Sequence, residues 1–493
     1  MTDRRANNRA SARSLVDNVP FYLLVAGAFA FLTIPRMAQP GMFVDGVTYA
    51  SIARNLAQSV GTFWSPVFTA TVHSQFHEHP PLALALQGAA FAVVGDHLAV
   101  ERVYSLALGG VTALLIAGTW RSATGERKYD WLPVVFWLLP SVVTWAIVNN
   151  LLENTQALFT TMAVFAFVRS LQPASRSVLW AAPAGLAVVA ATLAKGPTGL
   201  FPLAAPVIAA VVLRARRSQA LRSGAAMFTA AGIAAVLLLL SGLARTALSV
   251  YWNQQVVASV TGVRGGGRWG SLARHLSNGV VVRMGGLVAL AWLCARLGHR
   301  PGKRSEPVLR GWGWFFLALA LAGSVPVALS ARIMGHYLVP SIPLFALGAA
   351  SVMLVLLRPA LDRWIRQTSV RAVAACLGMV LLVSSVAWPM FGATLEPRDA
   401  DWIREYRSVS PSMPRGVTMG TCEAARVDWR LHAYVQRFFS VSLDPEPGHR
   451  HRYFLRLGDR DCPAPPGCRS VAATDRLAVL DCQEPQGLPP DGR

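Results

Sequence analysis

Long apolar runs alternate with short basic loops along most of the chain. Several of these runs reach about 18 residues, enough to cross the ~30 Å hydrocarbon core of a bilayer. They predict spans near 20–37, 101–119, 131–148, 155–170, 179–194, 198–213, 224–243, 281–298, 311–329, 337–357 and 372–392. The alternating ten-residue segments of an outer-membrane barrel are absent. The fold class expected is an all-α polytopic membrane protein with eleven transmembrane helices. The run Pro81 to Gly95 does not fit this pattern. Its 15 residues make only about 22 Å of helix, which suits an interfacial or re-entrant segment.

That segment decides the topology. If it does not cross, the loops 121–130, 169–178, 214–222, 296–310 and 358–371 share one side and carry 18 Lys and Arg. The opposite loops 149–154, 195–197, 244–283 and 330–336 carry 7. The positive-inside rule then makes the first set cytoplasmic. Three features fall on the extracytoplasmic side: a long loop 38–100, a loop 244–283 and a polar tail 393–493. The expected organisation is a basic cytoplasmic N-terminus 1–19, a transmembrane catalytic domain 20–392 and a small C-terminal domain 393–493. Short apolar patches in the tail ("GVTMG", "RYFLRL", "RLAVLDC") suggest an α/β-type domain. No internal repeat is visible.

Composition agrees. The chain is 53% hydrophobic and 14% charged, with a mean hydropathy of +0.41. A soluble domain carries about 25% charged residues. The formal charge of +21 would raise nucleic acid as a partner. Here the basic residues sit in short loops, so topology and contact with anionic membrane lipids account for them. The polar, basic first 20 residues and the apolar run from Tyr22 to Ile34 read as a signal anchor in an inner (plasma) membrane. Cys294 and Cys376 lie in spans as inert residues. Cys422, Cys462, Cys468 and Cys482 all lie in the tail. An even set outside the cytoplasm reads as two disulfides with three possible pairings. Zinc is the rival reading, weakened by the lack of a CxxC knuckle.

Polar chemistry gathers in the expected external segments. Asp45, just past span 1, is suited to cap the next helix. That helix ("DGVTYASIARNLAQS") has an amphipathic pattern, and Tyr49 shares a face with Asp45. In "SQFHEHPPLAL", Glu78 and His79 precede Pro80 and Pro81 at the start of the short apolar helix, where a helix N-terminus favours anions. The HxH of His77 and His79 is weak evidence for metal. Glu153, in "VNNLLENTQ", is an acid at a span boundary that must be wet, paired or bound. Lys195 ends span 5 before a Gly-Pro break. "VRGGGRWG" places Arg264 and Arg268 around three glycines, a weak phosphate-wrapping pattern. Arg332, His336 and Tyr337 stand at the mouth of span 10.

"VDGVTYASIARNL", "HEHPPLALAL", "ERVYSLALGGVTALLIAGTWR", "LAKGPTGL" and "GHYLVPSIPLFAL" together resemble the GT-C glycosyltransferases. The nearer kin are the protein O-mannosyltransferases and the lipid A aminoarabinose transferases. The resemblance covers roughly residues 20–360. It implies transfer of a sugar from a polyprenyl-phosphate donor at the external membrane face, and it makes Asp45, Glu78 and Glu153 the family's catalytic acids. The chain departs from the family at Gly46, where an acid is common, and at Thr48 and His79, where the aminoarabinose branch has Arg and Lys.

The expected reaction is an inverting displacement. Phosphate leaves without needing a general acid, and Asp45 takes the proton of an acceptor hydroxyl. His79, Lys195, Arg264 and Arg268, backed by Arg332 and His336, stabilise the developing phosphate charge. No cofactor and no obligatory metal are expected. The acceptor is a glycolipid, a glycan or a protein. A transporter or lipid flippase is the alternative; it would want midplane charges and a repeated half.

Overall fold

The computed structural model describes residues 2–173, 177–261, 273–298, 306–330, 333–391, 398–449, 451–458 and 461–482. Among the described residues, seven helices are long and apolar enough to cross a membrane: Asp17–Met37, Val100–Thr124, Ser177–Lys195, Arg214–Leu240, Pro307–Val327, Ile342–Arg366 and Thr368–Met390. An eighth span is the pair Arg127–Leu138 and Ser141–Val148, bent by 76°. The bend falls at Leu139–Pro140, where proline interrupts the helical hydrogen bonds. The other three expected spans are helical but fall short. Leu152–Ser170 opens on four polar residues, Glu153 to Gln156, that shorten its apolar part. Pro197–Val212 and Val282–Leu293 are simply shorter apolar helices.

The chain divides into two compact units. The first holds residues 1–38, 77–83 and 101–393 and contains the apolar helices. Its helices approach closely through glycine. A Cβ on Gly27 would lie 2.2 Å from the carbonyl oxygen of Gly378, so helices Thr2–Met37 and Thr368–Met390 meet backbone to backbone. Their outer faces remain apolar: only 17% of the most apolar window of Thr368–Met390 is buried. That is the surface expected against lipid.

Polar contacts sort the loops of this unit into two ends. At one end Asn18 donates to the Arg127 carbonyl at 2.8 Å, and Tyr22 donates to Asp130 at 2.8 Å. Arg358 pairs with Glu126 at 2.7 Å, and Lys128 pairs with Asp362. At the other end Arg102 donates to the Val148 carbonyl at 3.2 Å, and Glu153 pairs with Lys195. Helix Thr2–Met37 therefore leaves the first end, and helix Val100–Thr124 returns to it. The intervening segment makes no net crossing. Its apolar helix, Leu82–Val94, has 13 residues, about 20 Å of rise, as the short-segment reading requires.

The second unit joins residues 39–76 and 84–100 to the tail, 394–493. A short hairpin pairs β1 (Gly61–Thr62) with β2 (Ser65–Pro66). The tail builds a mixed five-stranded sheet from β3 (Thr418–Thr421), β4 (Ser442–Asp444), β5 (Tyr453–Leu457), β6 (Cys468–Ala473) and β7 (Leu477–Cys482). Its order is β4-β3-β5-β7-β6. β3 runs parallel to β4 and β5, and helix Trp429–Phe439 makes the crossover from β3 to β4. Cys422 bonds to Cys462, and Cys468 bonds to Cys482 across neighbouring strands.

Within this unit helix Val44–Ala57 packs on helix Trp429–Phe439. Of its polar positions at 48, 51, 55 and 58, Thr48, Ser51 and Asn55 are buried, as is Arg54 beside them, while Gln58 is exposed. Thr48 and Ser51 donate back to the carbonyls of Val44 and Val47. Arg54 donates to the carbonyls of Gln436 and Arg437 at 3.0 and 3.2 Å. These carbonyls end the second helix, where unpaired oxygens concentrate negative potential. Phe43 rather than Asp45 holds the capping position, and Asp45 lies inside the first turn. Cys376 is exposed on its helix rather than in a core.

His432, fully buried on helix Trp429–Phe439, makes the tail acid-sensitive. Its Nε2 faces the Ala425 carbonyl at 3.2 Å, while buried Nδ1 has no hydrogen-bond partner. Burial lowers its pKa below 6.5, against smaller raising effects of Ala425 and Asp428. A proton added at Nδ1 would find no acceptor. The unfolded chain binds that proton more readily, so stability is retained above pH 6.5 and falls below it, by at most about 1.4 kcal/mol per pH unit until the folded pKa is reached. Thermal melts at pH 7.5 and 5 should show the loss in the parent protein. His432→Gln, which keeps a donor for Ala425, should flatten it; an unchanged pH slope in that variant would assign the loss elsewhere.

Candidate active site

Glu153 sits in the first turn of helix Leu152–Ser170 and is 1% exposed. A carboxylate there meets the positive end of the helix dipole. Lys195, the last residue of helix Ser177–Lys195, ion-pairs with its Oε1. His336 Nε2 lies 3.5 Å from the same oxygen. Oε2 is buried with no hydrogen-bond partner. The acid thus has one oxygen held by Lys195 and His336 and a second, shielded oxygen that no described residue pairs.

Aromatic rings fix the cations around it. Lys195 Nζ lies 5.2 Å from the centre of the Tyr337 ring. The His336 ring stacks on Trp145 at 5.7 Å. His336 and Tyr337 come from a tight 3₁₀ turn, Gly335–Leu338. Gly196 makes the Lys195 placement possible. Its φ is +122°, and a Cβ there would lie 1.9 Å from the Tyr251 hydroxyl, so only glycine fits. That hydroxyl donates to the Lys195 carbonyl at 3.2 Å.

These groups line a cavity of about 350 Å³ that also receives Glu78, His79, Gln156, Thr198 and Gln255. Thr198 donates to Gln156 Oε1 at 3.0 Å, which leaves the amide nitrogen to bond the carbonyls of Ala191 and Gly196. One wall is apolar, from Val256, Val260, Pro326 and Val327. Such a cavity offers carboxylates, a lysine and an imidazole, and apolar side chains to a single bound molecule.

Glu78, His79, Glu153, Lys195 and Tyr337 therefore line one cavity, with His336 behind Glu153. Asp45 and Tyr49 belong to the other compact unit, one turn apart on helix Val44–Ala57, with Tyr49 buried. Arg264, Arg268 and Arg332 lie outside the described residues. Sequence patterns did not single out Gln156, Thr198, Tyr251 or Gln255. The last two lie in the segment read as an open loop from 244, which is helical over Gly242–Tyr251 and continues as a π-helical turn, Trp252–Val257.

Fold and cavity define a multi-pass helical membrane protein with a buried acid–cation cluster at one end of its bundle. Its fold is similar to that of solved structures of ArnT, a lipid A aminoarabinose transferase. Against ArnT from Cupriavidus metallidurans bound to undecaprenyl phosphate, the TM-score is 0.60 at 15% identity, over 93% of this chain and 97% of that one. The apo form of the same protein gives 0.53 at 16% identity, over 96% and 98%. The oligosaccharyltransferase of Archaeoglobus fulgidus is more distant, at 0.49 and 14% identity over 88% and 68%. No protein-family model and no curated protein sequence matches the chain.

Proposed function

We propose that the chain is a membrane glycosyltransferase that moves a sugar from a polyprenyl-phosphate donor to an acceptor hydroxyl at the extracytoplasmic face. The observation that carries this reading is the Glu153–Lys195 pair, backed by His336, in the wall of a half-apolar cavity in a GT-C-like fold. The undecaprenyl phosphate bound to ArnT supports a donor of the same lipid class.

The cavity chemistry suits each part of such a donor. Its phosphate needs cations, and Lys195 and His79 supply them. The sugar hydroxyls need acceptors, and the carboxylates of Glu78 and Glu153 in the cavity wall are the candidates. The polyprenyl chain follows the apolar wall. Asp45 is the proposed base, and the reading requires it to reach the acceptor hydroxyl. The acceptor oxygen attacks the anomeric carbon, the bond to the phosphate oxygen breaks, and the electron pair leaves with phosphate. The proton goes to Asp45. One displacement inverts the anomeric centre. Nothing in this sequence of steps calls on a cofactor.

Orientation follows from the loops. The end of the bundle opposite the cavity carries the heavily basic loops 121–130 and 358–371, which the positive-inside rule puts in the cytoplasm. The test is a panel of undecaprenyl-phosphate sugars, each labelled in the sugar, given to the purified protein with crude envelope acceptors. One donor should be consumed, with undecaprenyl phosphate and a labelled acceptor as products. Failure to bind any lipid-linked sugar, alongside vectorial lipid movement in proteoliposomes, would replace transfer by transport.

A further inference from the structure

The tail carries a second cluster of ligating groups that the transfer reaction does not use. Asp444 ends β4, and the chain turns back through Gly448, whose φ is +95°. The turn returns His449 and His451 to the same carboxylate. His449 Nδ1 and His451 Nε2 each lie 2.8 Å from Asp444 Oδ2. The other oxygen, Oδ1, accepts the Glu446 backbone N–H at 3.0 Å, which fixes the direction of the carboxylate.

We propose that Asp444, His449 and His451 form a binding site for a divalent transition-metal ion, with Zn²⁺ the best-suited cation. The donor set is two imidazoles and one carboxylate, which suits zinc, copper and nickel and disfavours magnesium and calcium. Three ligand atoms, one from each residue, lie within 4.8 Å of one another. A tetrahedral zinc with bonds of about 2.0–2.2 Å separates its ligand atoms by about 3.3 Å, so each imidazole need retreat by only about half an ångström. The side chains allow this: Asp444 is 7% exposed, His451 21% and His449 63%. The buried carboxylate is the fixed point and the exposed imidazole the mobile one. The backbone N–H on Oδ1 is the outer contact that orients a ligating carboxylate. In the ion-free state the two imidazoles each donate a proton to one oxygen. A metal ion replaces both protons and leaves a coordination position for water. The four tail cysteines are bonded in pairs and offer no thiolate to compete.

The site clips the β4–β5 connection and is independent of sugar transfer, so its test needs no donor. The full-length protein, carried on a tag without histidine, is stripped with chelator, exposed to ZnCl₂, dialysed and assayed for metal by mass spectrometry. About one zinc per chain is expected, with CoCl₂ giving visible bands. His449→Ala/His451→Ala should weaken retention at least tenfold, and so should Asp444→Asn, which keeps the hydrogen-bond acceptor. Zinc should also protect His449 and His451 of the parent protein from diethyl pyrocarbonate, a readout free of any folding defect in the variants. No zinc retained by the parent protein, equal retention by all three proteins, or unprotected histidines would overturn the assignment.

Discussion

Asp45→Asn is expected to cut the turnover of lipid-linked sugar by about 10²–10⁴-fold while donor affinity stays unchanged. The amide matches the carboxylate in shape but takes no proton at neutral pH. The acceptor hydroxyl then has to attack without its base, which lowers kcat and kcat/KM together. The surroundings should tolerate the change. Asp45 lies in the first turn of helix Val44–Ala57, which Arg54 anchors on the Gln436 and Arg437 carbonyls, and the amide keeps the shape and an acceptor oxygen of the carboxylate. A melt equal to the parent protein's, with turnover lost, is the expected pair of results. Turnover at the parent rate would remove Asp45 as base. Lost turnover with equally lost donor binding would make it a binding group instead.

Much of the fold was legible because a bilayer forces a simple code on sequence. Each expected span has a helix at its position, and the 15 residues from Pro81 to Gly95 were too few to cross. What stayed hidden was the partner of each buried polar group. Glu153 read as an acid needing a partner, but Lys195 stands 42 residues further on, and no periodicity links the two. The polar stripe through Thr48, Ser51, Asn55 and Gln58 read as one side of an amphipathic interfacial helix. Its true cover, the end of helix Trp429–Phe439, lies 382 residues from Arg54. The same gap hid the union of residues 39–76 and 84–100 with the tail. Tyr251 carried no signal at all, since its hydroxyl acts on the Lys195 backbone through the space that Gly196 leaves open.

Lys195→Met should abolish measurable transfer and also destabilise the helical unit by about 3–5 kcal/mol, because it strands a buried carboxylate without its cation. A single variant therefore cannot separate structure from function, but adding Glu153→Gln can. The double variant replaces the ion pair with a thioether and a neutral amide of similar volume, so the melt should return close to the parent value. Transfer should not return. The phosphate would still lack Lys195, and the sugar would still lack the carboxylate of Glu153. His336, stacked on Trp145 and 3.5 Å from Glu153, is too firmly placed to stand in for the lysine. Restored stability with transfer still absent would mark the pair as binding machinery. Restored stability with restored transfer would reduce it to a strut between helices Leu152–Ser170 and Ser177–Lys195. The donor phosphate would then have to be held by His79 together with Arg264, Arg268 and Arg332, which lie outside the described residues.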